Sequence, residues 1–467
     1  MTFTSIPFIL FFFAIFVINY YVKDTKKPFF LLIISYYFYS FFDVRFLPYL
    51  FIITIITYLS TKLIIHFPKY KKIFLYLSII NILGILFYFK YFNFFTSLLN
   101  SQSALTIPLL LPIGISFITF QSLGYIIDVY RDKTQFESNF INVALFVSFF
   151  PQITSGPISR AHTLMPQIKK ITKATSIEME SGLYQFLWGF FKKVVIADNF
   201  AKVANLGFDN YTTLFGLPLL ISVLAYTIQI YGDFSGYSDM AIGLSKMLGF
   251  KLKDNFNAPY LATSIKEFWS RWHISLSTWF RDYVYIPLGG SRVHPFRKYI
   301  NLMITFMISG LWHGANLTFI LWGALHGLFQ IIEDLLQKYL RFIKLPKAIK
   351  WFITMSLVSL AWIFFRAQSI EQAFIILQNI TNITLPSNIE VLLEMLEPIG
   401  IFKFDVAMLI VSLCLLFLVE LKQNHGSHYF YQESRISSKS FIWGAGLILV
   451  ILLFGAFTNS SFIYFNF

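Results

Sequence analysis

Apolar residues run through this chain in long blocks, separated by short polar or basic connections. The blocks cover residues 3–22, 28–42, 46–65, 73–89, 107–130, 140–150, 183–197, 214–231, 299–311, 317–332, 351–365, 406–419 and 441–457. A helix that crosses a bilayer takes about 20 residues, and most of the blocks approach that length. None has the alternating apolar–polar pattern of an outer-membrane barrel strand. The pattern predicts an all-α polytopic membrane protein of about 11–13 membrane helices, the short ones tilted, re-entrant or buried among neighbours. Block 140–150 has only eleven residues and is expected to enter and return, held by protein on all sides. Block 3–22 has no Lys or Arg before it and no small-residue cleavage site, so it is read as a retained first helix. The stretch 367–398 is the longest polar segment of the last third and is expected to be an extracytoplasmic loop. Three parts follow: N-terminal transmembrane helices (1–100), a core (101–340), and C-terminal helices with an aromatic tail (341–467).

Composition strengthens the membrane reading. The chain is 57% hydrophobic, 20% aromatic and only 13% charged, against about 25% charged residues in ordinary globular domains. The net charge of +14 does not point to nucleic acid, because Lys and Arg gather in the connections, as in loops that face an anionic leaflet. Lys23, Lys26 and Lys27 follow the first block, and Lys69, Lys71 and Lys72 follow the third. Only Arg45 lies between the second and third, and little beyond Lys90 between the fourth and fifth. The N-terminus is therefore placed outside, with the first and third loops in the cytoplasm. The single cysteine, Cys414, cannot form an internal disulfide or a cysteine-rich zinc site and is read as a small packing residue.

Candidate chemistry gathers in two segments. In SGLWHGANLTF (309–319) one histidine, His313, interrupts an apolar run of membrane length. An ionisable group at that depth is costly and tends to face a protein interior or wet cavity. Gly314 and Ala315 are small and are expected to leave room beside the ring for a ligand. A buried histidine bonded to a backbone carbonyl accounts for the same pattern. His326 follows thirteen residues later. On one straight helix the two rings would point about 140° apart, so they do not form an obvious metal pair. No HExxH, Asp-rich loop or P-loop occurs in the chain, and no metal is expected.

The second segment starts at Ser264, whose S-x-x-E spacing to Glu267 is that of a capping box. Ile265, Trp269, Trp272, His273, Leu276 and Phe280 then share one helical face, and Lys266, Ser270, Ser277 and Arg281 the other. With its tryptophans and arginines this reads as a single helix lying at the membrane interface. His273 is either a site residue or a ring filling a half-polar interface position. The Gly289-Gly290 turn with Arg292 at its tip would let backbone amides approach an anion, although most such turns bind nothing.

Four ordered motifs, FFPQITSGPI (149–158), FWSRWHISL (268–276), RDYVYIPLGGSR (281–292) and LWHGAN (311–316), resemble the signatures of membrane-bound O-acyltransferases. The resemblance is strongest to the bacterial branch of alginate and peptidoglycan O-acetylation proteins. It implies a helical core around a tunnel, acetyl-CoA as donor, and no metal. It places His313 at the family's invariant histidine and His273 at its second position. It also implies passage of the acetyl group across the inner (cytoplasmic) membrane, where a secreted or tethered acetyltransferase of SGNH type completes transfer to a polysaccharide.

His313 would act as general base or hydrogen-bond relay, worth about 10²–10⁴-fold. His273 would position the thioester or stabilise the oxyanion. Arg281, Arg292, Gly289, Gly290, Trp312 and Asn316 form the expected donor-binding set, with Arg160, Lys192 and Lys193 as further phosphate candidates. The tail FIYFNF (462–467) resembles an F-x-Y-x-x-F motif in which the tyrosine, here Tyr464, has been proposed to carry the acyl group. An interfacial aromatic anchor explains it equally. A D-alanyl transferase of the same family is the nearest rival reading, and a proton-coupled transporter using His313 and His326 is the rival from another class. The Lys-, Ile- and Phe-rich composition leans the acceptor toward peptidoglycan over alginate.

Overall fold

A computed structural model describes residues 1–99, 110–339, 345–382, 394, 396–397, 401–424, 438–457 and 462–463. Among these residues the chain is helical, with no strand. Six helical stretches are long and apolar enough to cross a membrane: Val44–His66, Pro68–Leu98, Gly216–Met247, Leu317–Tyr339, Lys347–Arg366 and Lys403–Asn424. Shorter apolar helices cover Ile6–Tyr21, Ile115–Tyr130 and Phe441–Phe454. The chain forms two compact units, residues 1–186 with 238–254, and residues 187–237 with 255–467.

In the first unit, helix Leu47–His66 packs against Lys71–Leu86 and Ile115–Tyr130. Helix Lys27–Ser40 packs against Phe140–Ser148. Phe8, Phe38 and Phe150 form an aromatic cluster, with Phe38 5.8 Å from Phe8 and 5.6 Å from Phe150 between ring centroids. Ser35 Oγ accepts the Phe150 N–H at 3.1 Å, a polar contact inside that cluster. Helices Phe140–Ser148 and Phe150–Ile153 are enclosed, with Asn142 through Ser148 all buried. Protein surrounds this short block, as its length predicts.

In the second unit, helix Pro295–His313 runs against Leu317–Tyr339, which packs in turn on Lys347–Arg366. The first pair meets backbone to backbone. A Cβ on Gly310 would lie 2.1 Å from the Phe319 carbonyl oxygen, and one on Gly323 would lie 2.2 Å from that of Phe306. Small residues at such crossings let membrane helices approach closely, where dispersion replaces the hydrophobic drive.

Several expectations change. Helix Gly216–Met247 continues well past residue 231, where the apolar block ends, because Asp233, Ser235 and Ser238 lie inside protein and not in lipid. Segment 367–398 is not simply a loop: Ser369 caps a helix over Ile370–Thr381 that buries Ala373 and Ile376. Cys414 is exposed on helix Lys403–Asn424 and is not a core packing residue.

Replacing Gly323 with Val forces a side chain into the Phe306 backbone. Overpacking of this kind costs about 1–3 kcal/mol, occasionally more. The expected result is a lower apparent melting temperature in detergent, whereas Gly446→Val, where nothing lies within 4 Å of the added atom, leaves it unchanged.

Candidate active site

The segment 264–281 is two short helices, Ile265–Arg271 and Ile274–Phe280, and not one. The start is as predicted: Ser264 Oγ accepts the Glu267 N–H at 3.0 Å. Glu267 returns to the Thr263 N–H at 2.8 Å. Glu333, from helix Leu317–Tyr339, adds a second cap by accepting the Ile265 N–H at 2.9 Å.

The break falls at His273, which adopts the left-handed conformation with φ 42° and ψ 54°. A non-glycine residue there costs about 1–2 kcal/mol, so the surroundings must hold it in place. Asn255 does so: its carbonyl accepts the Ile274 N–H at 2.9 Å. Its side-chain Oδ1 accepts the Ser275 N–H at 3.1 Å and the Ser275 hydroxyl at 2.8 Å.

The apolar face assigned to this segment is correct in its residues, since Ile265, Trp269, Trp272, His273, Leu276 and Phe280 are all buried. That face packs into the protein, while Lys266, Ser270 and Arg281 on the other side are exposed.

His273 is fully enclosed, at 0% exposure. Its Nδ1 lies 3.1 Å from Asn255 Oδ1. The Phe234 ring meets it edge to face at 4.6 Å, and Trp312 lies at 6.2 Å. Burial pushes its pKa down to about 3, so the ring is neutral through the ordinary pH range.

His313 closes helix Pro295–His313 at 3% exposure. Its ring sits among Trp312 at 4.9 Å, Trp322 at 5.0 Å and Phe365 at 5.2 Å. Trp312 thus touches both imidazoles and links residues separated by forty positions in the chain. The space beside Gly314 is taken by protein: a Cβ there would lie 2.1 Å from the Phe319 ring. The glycine makes room for Phe319, and the expectation that it leaves room for a ligand is corrected.

His326 is on a separate helix from His313. Trp269 Nε1 donates to its Nδ1 at 3.2 Å, and its ring packs 5.0 Å from Trp322. An indole N–H can only donate, so His326 accepts at Nδ1 and carries its proton on Nε2.

The other predicted residues fall in three places. Arg281 pairs with Asp282 at 2.9 Å and lines a cavity of about 420 Å³ with Lys266, Trp269, Ser277, Phe280 and Ser309. Gly289 and Gly290 form the predicted turn, with φ 112° and 57°. Their N–H groups donate at 2.9 Å to the Ile286 and Tyr285 carbonyls respectively, which leaves exposed Arg292 as the basic tip. Asn316 caps helix Leu317–Tyr339: Oδ1 accepts the Thr318 N–H at 3.0 Å, and Nδ2 donates to the Gln368 carbonyl at 2.8 Å.

Tyr464 lies outside the described residues, but the two residues before it are placed. Phe462 packs 4.7 Å from Tyr237 and 5.8 Å from Phe234, the ring that also meets His273. The Ile463 N–H donates to Asp233 Oδ2 at 2.7 Å.

Asp233 and Asn255 are site features that reading by local pattern missed. Asp233 forms a buried ion triad: Lys193 Nζ lies 2.6 Å from Asp233 Oδ1 and 2.8 Å from Asp198 Oδ1. A lone acid beside an apolar block was a usable signal. Asn255 offers none, since its partners lie 18 and 20 residues on. Lys193, a phosphate candidate from sequence, is held between the two carboxylates. Lys192 packs over Trp188 and Tyr231, 6.0 and 5.9 Å from their ring centroids.

A polytopic helical protein that encloses the imidazoles of His273 and His313 among aromatic rings has the form of a membrane-embedded enzyme. Residues 136–373 match the profile of MBOAT, the membrane-bound O-acyltransferase family, and the chain belongs to it. The protein is a multi-pass membrane O-acyltransferase. It is 35% identical to the peptidoglycan O-acetyltransferase of Helicobacter pylori, over 98% of this chain and 94% of that one. It is 42% identical to the probable alginate O-acetylase AlgI of Pseudomonas aeruginosa, over 80% and 74% respectively. A teichoic acid D-alanyltransferase of Streptococcus thermophilus is 32% identical over 48% of this chain and 56% of its own length.

Lys193→Met leaves Asp233 and Asp198 without their shared cation. Breaking a buried pair by removing one partner costs about 3–5 kcal/mol. The variant is expected to lose most of its folded fraction, read by size-exclusion profile and thermal denaturation in detergent. Asp233→Asn with Lys193→Met should recover part of the loss.

Proposed function

We propose that this protein takes acetyl from cytoplasmic acetyl-CoA and passes it across the cytoplasmic membrane for O-acetylation of an extracytoplasmic polysaccharide, peptidoglycan first. The observation that carries the reading is the enclosed pair His273 and His313 on either side of Trp312. Near-complete coverage by a peptidoglycan O-acetyltransferase supports the acceptor, and the alginate relatives support acetyl over D-alanyl transfer. The teichoic acid relative matches about half the chain and keeps D-alanyl transfer as the second reading.

The reaction is thioester to ester. An acceptor hydroxyl oxygen attacks the acetyl carbonyl, His313 takes the hydroxyl proton, and the carbon–sulfur bond breaks. The proton then passes to the departing thiolate, leaving an acetyl ester and free CoA thiol. A neutral imidazole is the form required of the base, and help of this kind is worth about 10²–10⁴-fold. Arg281 and exposed Arg292 are the cations of the donor side in this reading, whereas the Gly289 and Gly290 N–H groups are bonded within their turn and Asn316 is taken up as a helix cap. Tyr464 is a candidate first acceptor, its phenol holding acetyl as an ester until an SGNH-type partner transfers it to the polysaccharide. A proton relay between His313 and His326 fits less well, because both rings pack on Trp322, whose indole has a donor and no acceptor.

The test is transfer from radiolabelled acetyl-CoA by protein in liposomes. His313→Ala is expected to lower transfer at least about 10²-fold with unchanged folding, and full transfer by that variant would remove the base. Tyr464→Phe should abolish label on the protein. If that variant acetylates polymer normally in cells, the tail is an anchor only.

A further inference from the structure

We infer that Asn255 is a positioning residue that fixes the tautomer of His273, so that the ring presents an unprotonated Nε2 to the substrates. The inference rests on the reading of His273 as a site residue and adds what that ring can do there.

One oxygen decides the tautomer. A backbone N–H can only donate, and the Ser275 N–H lies 3.1 Å from the Asn255 side-chain atom in question. That atom must therefore be the amide oxygen and not the nitrogen. The same oxygen lies 3.1 Å from His273 Nδ1, so Nδ1 must carry the hydrogen. A neutral imidazole has one N–H, and it is now assigned. Nε2 holds a lone pair.

The rest of the asparagine keeps the arrangement in register. Its carbonyl accepts the Ile274 N–H at 2.9 Å, and the Ser275 hydroxyl donates to Oδ1 at 2.8 Å. These bonds hold His273 at φ 42°, a conformation its own backbone disfavours. Strain maintained by one neighbour at a buried imidazole is what a fixed ring orientation requires.

The chemical consequence is a restriction. In this tautomer His273 cannot donate from Nε2 to a developing oxyanion. It can accept from an N–H or O–H of the substrates, such as an amide of the donor's pantetheine arm or the attacking hydroxyl. Of the two roles open to His273, positioning survives and oxyanion stabilisation does not.

The rings packed on His273 belong to Phe234, Phe256 and Trp312. The ionisable groups within two residues of these rings and of His273 are Asp233, bonded to Lys193, together with Asp254, His313 and Arg271, the last paired with Glu267. A carboxylate at position 255 would keep every acceptor contact and bring a negative charge to about 3 Å, favouring the imidazolium. Such a charge typically moves a pKa by about 1–3 units.

The experiment uses full-length protein in nanodiscs with ¹⁵N-labelled histidine, the His273 resonance assigned by its loss in His273→Gln. Solid-state NMR near neutral pH should show a proton on Nδ1 and none on Nε2. In acetyl-CoA transfer assays Asn255→Asp should move the acid limb of the kcat profile upward by at least about one pH unit, with near-normal activity on the alkaline side. Asn255→Leu should lose at least about 10²-fold in kcat at every pH. A proton found on Nε2 overturns the inference. So does an Asn255→Asp variant that is depressed equally at all pH values, since a purely structural residue behaves that way. If His273→Gln transfers at the wild-type rate while the NMR shows Nδ1–H, the tautomer stands and the parent assignment of His273 to the site fails.

Discussion

At Gly310 and Gly323 two helices pass so closely that no side chain fits between them, and everything around the histidines is built on that approach. Because Pro295–His313 and Leu317–Tyr339 touch backbone to backbone, the residues one turn away are brought into a single layer. Trp312 and His313 close one helix, while Phe319, Trp322 and His326 occupy the next. Trp322 then reaches His313 and His326 at the same ring spacing, 5.0 Å. The His326 side of this layer is tied to helix Ile265–Arg271 through the Trp269 hydrogen bond, and the Trp312 side meets His273. A wider crossing would open each of these contacts together.

The second constraint is charge. Burying Lys193 with Asp198 and Asp233 is expensive unless the geometry satisfies all three, and contacts of 2.6 and 2.8 Å meet that condition. The triad has a consequence beyond stability. Asp233 presents its other oxygen to the Ile463 N–H, so the position of the C-terminal segment depends on a carboxylate that Lys193 orients. Phe462 then lies against Phe234, one ring removed from His273. Ion triad, tail and imidazole form one connected structure within the second unit.

Hydropathy located the main helices because their burial, in lipid or protein, follows local composition. It failed where burial is decided elsewhere in the chain. Helices Ala161–Lys169, Asp198–Asp209 and Ile370–Thr381 escaped because they are amphipathic and carry polar faces that break an apolar block. The interruption at His273 escaped for a different reason. The periodicity of 265–280 is that of one helix, and only Asn255, eighteen residues earlier, shows that it is two. His313 and His273 were visible as polar rings in apolar settings. The ring that joins them, Trp312, and the filling of the space beside Gly314 by Phe319 depend on helix crossing, which no local window contains.

An acetyl thioester is open to attack by water as well as by a sugar or tyrosine hydroxyl, and water is far more abundant. On the proposed chemistry the enzyme must therefore keep water from its base while admitting an acceptor. The enclosure of His313 by Trp312, Trp322 and Phe365 bears on the first demand: the three rings crowd the imidazole and leave it 3% exposed, which keeps bulk solvent off it. On the second demand, the proposed His273 tautomer offers an acceptor lone pair of fixed direction, which a hydroxyl already positioned by the rest of the site can meet. His273 in one tautomer would then orient that hydroxyl or amide, with no charge on the ring to draw solvent inward.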